Sequence, residues 1–262
     1  MKLIRSIYLI INYKTFILTL LSVVSTWLCY RYHIVADFPL TIVGIAIVFP
    51  VVFSIDSAYK RRERALWMLS DFKAHVLALY LASRDWLEEN EEFQNEIKIQ
   101  LGDVYSSIRD IFTSGEKDSI KAEQAIYIKL SELSEIMKKF RTLGLPSGEI
   151  SRVSQYISKI AVAIENLKSI LRYRTPITLR AYSKVFIYTF PIMYGPYFAL
   201  VADQYSPNLE YMMPVVFSFI LVSLDNIQSH LENPFDQVGE DDIVFDVEDF
   251  SSMIDKVKEH RK

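Results

Sequence analysis

One uncharged stretch near the N-terminus constrains the fold of this 262-residue chain more than any other feature. Residues Gly44–Phe53 contain no charged side chain, and with their flanks they are long enough to enter a lipid bilayer. Ile45, Phe49 and Phe53 recur every four residues, which stacks their side chains along one face of a helix. Such a row is typical of packing against neighbouring helices or lipid. Several copies arranged around an axis would instead form a narrow apolar constriction that ions cross only when it widens or wets.

Four uncharged apolar segments divide the chain into membrane spans and a polar body. These segments are Thr15–Tyr30, Phe38–Ile55, Val185–Ala202 and Tyr211–Leu224. The chain is 51% hydrophobic yet 23% charged, which fits this division better than it fits a typical soluble enzyme. Basic residues concentrate outside the two short connectors. The positive-inside rule therefore predicts a multi-pass protein of the cell membrane (the inner membrane if the source is bacterial), with both termini and the middle segment in the cytoplasm.

The predicted organisation has four parts. They are an N-terminal segment with the first transmembrane hairpin (1–59, its second helix over about 38–58), a cytosolic helical domain (60–173), a second transmembrane hairpin (174–230) and an acidic, less regular tail (231–262). Apolar residues recur at helical spacing through the middle part, and Leu143–Gly148 breaks this pattern once. The predicted fold class is an all-α integral membrane protein with four transmembrane helices and a helical cytosolic domain.

Several functional classes find no support in the residues. The formal net charge of −3 provides no basic field for nucleic acid. The sequence has no Gly-rich phosphate loop and no nucleophile–base pattern, and Cys29 and the four histidines show no metal-ligand spacing. We therefore predict neither an enzyme nor a required cofactor. The four apolar segments also lack the ionisable residues that are typical of secondary transporters.

Three short motifs of the chain stand out in its hairpins and tail. The first runs from Gly44-Ile45-Ala46 through Phe53 and continues to Arg61, and the second is Arg174-Thr175-Pro176-Ile177 followed by Tyr182. The third is Asn233-Pro234-Phe235 followed by Gly239-Glu240-Asp241-Asp242, with Asp236-Gln237-Val238 as an insertion. These motifs resemble those of bestrophins and their bacterial homologues, occur in that family's order, and cover both hairpins and the tail. A Trp-Trp pair of the family is replaced here by Arg62-Glu63.

The resemblance implies a homopentameric ion channel around a central pore. Its partners would be further copies of the chain, the lipid bilayer and the conducted ions, chloride and similar anions foremost. Ile45, Phe49 and Phe53 would form an apolar neck that acts as the gate, and Ile177 would set a cytosolic aperture. Possible vestibule charges near the neck are Asp56, Arg61, Arg62 and Arg64, although the positive-inside signal and contact with lipid headgroups explain the arginines equally well.

The acidic motif raises the question of a bound cation. Glu240, Asp241 and Asp242 supply carboxylate oxygens of the kind that calcium prefers. Position 244, where the family's calcium site has a further acid, is Val244 here. A solvated acidic tail is the alternative interpretation, and the less demanding one.

Two other functions stay open on the same residues. The first is a monovalent cation channel on the same scaffold. It stays open because Asp56 and Glu63 place negative charge beside the arginines below the neck. A non-conducting membrane scaffold or sensor would bind a partner through the cytosolic helices, and widening its neck would change no ion flux.

Overall fold

The structure, a computed structural model, describes residues 10–37, 39–87, 90–113, 119–173, 177–202, 204, 209, 211–235 and 242–259. Within these ranges every regular element is a helix, so the predicted all-α class is confirmed. In chain order the helices are α1 (Tyr13–Arg31), α2 (Leu40–Asp85), α3 (Glu91–Thr113), α4 (Ser119–Thr142), α5 (Ser147–Arg172), α6 (Ile177–Met193), α7 (Gly195–Ala202), α8 (Met212–Leu231) and α9 (Val247–Glu259).

Four stretches are long and apolar enough to cross a membrane, as the sequence predicts. They are Tyr13–Arg31, Val43–Asp85, Arg180–Ala202 and Met212–Leu231. The second extends well past the predicted 38–58, because no glycine or proline interrupts the sequence between Pro50 and Asp85. The third is formed by two helices, α6 and α7.

The described residues divide into two compact units. The membrane unit contains those up to Arg62 and those from Ile177 to Pro234. The polar unit contains Glu63–Tyr173, Phe235 and residues 242–259. The predicted boundaries at 59/60 and 173/174 lie near these limits, and the predicted tail is divided between the units.

In the membrane unit, α1 packs against α6, α7 and α8. The buried core is formed by side chains from α1, α2, α6 and α8: Leu18, Ile47, Val51, Ile187, Leu221 and Val222. The apolar faces that the sequence predicts as spans therefore cover one another only in part, and many of their side chains stay exposed.

The break between α6 and α7 is sealed by α1. Pro196 has no N–H for the carbonyl of Ile192, so that carbonyl lacks its helical partner. The Ser25 hydroxyl donates to this carbonyl at 2.8 Å, and the Ser22 hydroxyl donates to the carbonyl of Pro191 at 2.8 Å. Satisfying these groups matters in a bilayer, where no water can replace a missing hydrogen bond.

The polar unit has the larger core. It is formed by α2 from Ala65 onward, together with α3, α4, α5 and the C-terminal residues. Fully buried members include Phe72, Ile97, Leu133 and Ile160, each from a different helix. The predicted break appears as the turn between α4 and α5, where Gly144 adopts a φ of 84° that suits glycine.

The C-terminal part corrects the expectation of a less regular tail. Helix α9 packs on α3, and the Phe250 ring stacks on Tyr105 with centroids 4.1 Å apart. Asp246 caps the helix, since its carboxylate accepts from the N–H groups of Glu248 at 2.8 Å and Asp249 at 3.0 Å. The expectation of an irregular tail rested on its acidic composition, but the apolar residues of this segment lie on one buried face of a helix.

Candidate functional site

The candidate site lies on the part of α2 that belongs to the membrane unit. One face of this helix is buried and carries Ile47, Val51, Ser54 and Ala58. The other face carries the predicted neck residues Ile45, Phe49 and Phe53, which are 51%, 57% and 59% exposed. The Phe49 and Phe53 rings are neighbours, with centroids 6.0 Å apart. The three side chains therefore form one continuous apolar row that no described part of this chain covers.

Pro50 lies within this row's helix, next to Phe49. Because proline has no N–H, the carbonyl of Ala46 lacks its usual helical donor. The neck segment thus contains a local weakness in the backbone hydrogen-bond ladder, of the kind that permits a membrane helix to bend.

A charged pair continues the exposed face. Asp56 and Lys60 follow Phe53 by three and seven residues, which places them on the same side of the helix. The Lys60 ammonium donates to Asp56 Oδ2 at 2.7 Å. Because the two charges of this pair sum to zero, their net charge favours neither anions nor cations.

The structure does not bring all four predicted vestibule charges to that face. Arg61 is half-buried, unlike the exposed neck residues, although it follows Phe53 by eight residues. Arg62 is also half-buried, whereas Arg64 is exposed and belongs to the polar unit. Among the predicted charges that belong to the membrane unit, Asp56 is thus the exposed one, and sequence reasoning missed its partner Lys60.

Comparison with known proteins identifies the fold. No family model matches the sequence, and no curated protein matches it either. A crystal structure of a bacterial bestrophin homologue from Klebsiella pneumoniae, carrying one mutation, aligns over 93% of this chain and 97% of its own, with a TM-score of 0.78 and 16% identity. Another variant from Klebsiella pneumoniae aligns over 93% and 98%, with a TM-score of 0.75 and 17% identity.

This chain has a bestrophin-like fold. A further structure, described only as a membrane protein, covers 93% of this chain and 95% of its own at a TM-score of 0.77 and 16% identity. At these identities the likeness establishes the fold, and it confirms the resemblance that the three motifs predict. With the four apolar stretches it also supports a membrane location.

Two predicted sites of the bestrophin-like fold fall largely outside the described residues. Arg174, Thr175 and Pro176 lie outside them, and Ile177 is the first residue of α6 but its side chain is not described. Its role at a cytosolic aperture stays a prediction.

The predicted calcium ligands are affected in the same way. Glu240 and Asp241 lie outside the described residues, and Asp242 is half-buried in the polar unit. Val244, where the family has an acid, is 65% exposed. Among the residues described, no group of three or more His, Cys, Asp or Glu side chains could hold a metal ion. The calcium site stays a prediction.

Sequence reasoning missed a buried polar cluster on α8. The fourth apolar segment was predicted to end at Leu224, but α8 continues to Leu231 and includes Asp225, which is 2% exposed. The Tyr188 hydroxyl on α6 donates to Asp225 Oδ2 at 2.6 Å. The segment Tyr211–Leu224 itself carries no charged residue, as predicted, but the helix that contains it extends past this segment and includes a buried acid. A buried carboxylate is tolerated here because a hydrogen bond from another helix compensates part of its lost hydration.

Proposed function

We propose that this chain is the subunit of a homopentameric ion channel in which Ile45, Phe49 and Phe53 of each copy form an apolar neck. The observation that carries the proposal is the exposed row on α2, opposite a fully packed face of the same helix. A bestrophin-like fold in a membrane supports this role. In the proposed assembly the neck resists passage by dewetting and conducts when it widens, and Pro50 provides the local weakness for that movement.

We propose chloride and similar anions as the conducted ions. The motif resemblance supports this choice, and so does the exposed face below the neck. There the side chain of Lys60 is 73% exposed and that of Asp56 48%, so the ammonium is the more accessible charge. One observation favours a monovalent cation channel instead, namely that Asp56 is the first charge after Phe53 on the neck face. The pair makes ion preference a question for measurement.

Ion flux through liposomes tests the proposal. The purified protein is compared with an Ile45→Ala/Phe49→Ala/Phe53→Ala variant under separate chloride and potassium gradients. Flux should rise in this neck variant, and the gradient that drives it names the ion. A matched control is Phe16→Ala/Leu20→Ala/Val24→Ala, which removes a row of the same spacing from α1, where the side chains are 68%, 63% and 41% exposed.

The control separates a neck from apolar surface in general. Equal changes of flux in the two triple variants would contradict the assignment of the neck to α2. If folded and inserted protein conducts nothing in either form, the chain is a non-conducting scaffold or sensor. Cross-linking of the purified protein provides the independent check on assembly, with a ladder that ends at five copies as the expected result.

A further inference from the structure

A groove on the membrane unit combines positive charge with an apolar wall. It lies between α1 and α6, has a volume of about 400 Å³, and is lined by Lys14, Ile17, Leu18, Lys184 and Tyr188. It uses none of the residues of the proposed neck. Its lining joins two ammonium groups, two aliphatic side chains and one phenol.

The two lysines occupy equivalent places in their helices. Lys14 immediately precedes the apolar segment Thr15–Tyr30, and Lys184 immediately precedes Val185–Ala202. Each ammonium group therefore belongs to the boundary of a span, while Ile17 and Leu18 lie one turn further into the apolar part of α1. This succession from charged to aliphatic matches a lipid, whose charged headgroup leads into acyl chains.

The charge of the groove selects the sign of its occupant. Within the described part of the chain, neither Lys14 nor Lys184 forms an ion pair. One acid contacts the lining: Asp225 is 2% exposed, and its Oδ2 accepts a hydrogen bond from the Tyr188 hydroxyl. Two cationic groups thus face the groove against one shielded carboxylate. The first nine residues of the chain carry Lys2 and Arg5 and no acid, so charge complementarity argues against them as the occupant.

We propose that this groove binds one anionic phospholipid, with its phosphate between Lys14 and Lys184 and an acyl chain along Ile17 and Leu18. Basic pockets between membrane helices bind anionic headgroups by the same physics, because each lysine gains attraction to the headgroup charge near the bilayer surface. The proposal requires the membrane location but does not rest on ion conduction.

Lipid titration followed by native mass spectrometry of the detergent-purified protein tests this site. Phosphatidylglycerol is the anionic probe and phosphatidylcholine the neutral one. The wild-type protein should prefer phosphatidylglycerol. Lys14→Gln/Lys184→Gln should weaken phosphatidylglycerol binding roughly 10- to 30-fold, since each lysine near an anionic surface contributes about fivefold.

Two further variants keep the test specific. Lys14→Arg/Lys184→Arg retains both charges and should bind like the wild type. Lys138→Gln/Lys159→Gln removes the same charge from exposed positions of the polar unit and should change binding less than twofold. Equal affinity for the two lipids, an unchanged affinity in Lys14→Gln/Lys184→Gln, or an equal loss in the polar-unit control would overturn the proposal. Complete displacement of phosphatidylglycerol by inorganic phosphate would also overturn it, because the site would then bind a free anion. Binding is read without flux, so a non-conducting protein leaves this result intact.

Discussion

Lys168→Gln should lower the free energy of local unfolding of α4 and α5 by about 2–3 kcal/mol. The Lys168 side chain is only 4% exposed, and its ammonium lies 2.8 Å from Glu123 Oε1 and 2.9 Å from Glu165 Oε1. It also donates to the Tyr127 hydroxyl at 2.5 Å and lies 4.3 Å from the centre of that ring. Every donor of this buried cation therefore has a partner.

The magnitude follows from what the substitution leaves behind. Removing one member of a buried ion pair typically costs about 3–5 kcal/mol, because the remaining charge is buried without compensation. Here Glu123 keeps its contact with Arg172, and the Glu165 side chain is 52% exposed to water. Both carboxylates retain some stabilisation, which lowers the expected loss to the range given.

Hydrogen exchange of the intact protein in detergent measures this local loss. Peptides from α4 and α5 should lose protection by roughly 30- to 140-fold, since 1.4 kcal/mol corresponds to a factor of ten. Lys129→Gln is the matched control. Lys129 also pairs with two acids, Asp103 at 3.1 Å and Glu132 at 2.9 Å, but its side chain is 33% exposed. Its loss should cost at most about 1 kcal/mol, or about fivefold in protection. If the two variants lose protection equally, burial does not decide the strength of the Lys168 network.

The same network predicts a pH dependence. The hydrogen bond from Lys168 lowers the pKa of Glu123 below its ordinary value of 4.5, so its contribution is present above that pH and is lost as the pH falls through the folded-state pKa. Burial lowers the pKa of Lys168, but its hydrogen bonds to Glu123, Tyr127 and Glu165 outweigh burial and raise it above 10.5. That contribution is present below pH 10.5 and is lost as the pH rises through the raised pKa. Thermal unfolding against pH should show both losses, and Lys168→Gln should flatten them.

Three further predictions concern other parts of the molecule. Gly195→Ala should destabilise the protein by about 1–3 kcal/mol in thermal unfolding, because a Cβ there would lie 3.1 Å from a backbone carbon of α1. Gly102→Ala is the control: a Cβ at position 102 would meet nothing within 4 Å, so this variant should be as stable as the wild type or more stable. Asp56→Asn should shift the reversal potential towards anion preference and Lys60→Gln towards cation preference, because each substitution leaves the other charge of the pair unpaired. Shifts of the same sign in the two variants would show that the pair does not line the ion path. Tyr105→Phe should leave stability unchanged or raise it by up to about 1 kcal/mol, since the Tyr105 hydroxyl is buried without a hydrogen-bond partner among the described residues. A clear loss of stability in that variant would reveal a partner for the hydroxyl.

The membrane spans and the helical middle could be predicted because both depend on local patterns. An uncharged run of sufficient length and an apolar period near 3.6 residues determine a helix and its environment without reference to distant residues. The spacing of Ile45, Phe49 and Phe53 likewise places them on one face whatever surrounds the helix. The three short motifs added the family resemblance, which the fold confirms.

Which side chains of each helix are buried depends on tertiary contacts and could not be predicted from the sequence. Spacing alone could not tell whether Phe49 or Val51 would be buried, because both are apolar, and burial depends on the helices that pack there. Lys168 and Asp225 are both buried in the fold, and their partners Glu123 and Tyr188 lie 45 and 37 residues away in sequence. The acidic tail was predicted to be less regular, because its sequence does not show that Phe250 stacks on Tyr105 of α3. Contacts between distant segments carry no local periodicity, so the sequence determined the helices and their faces, and the fold determined which faces, charges and rings meet.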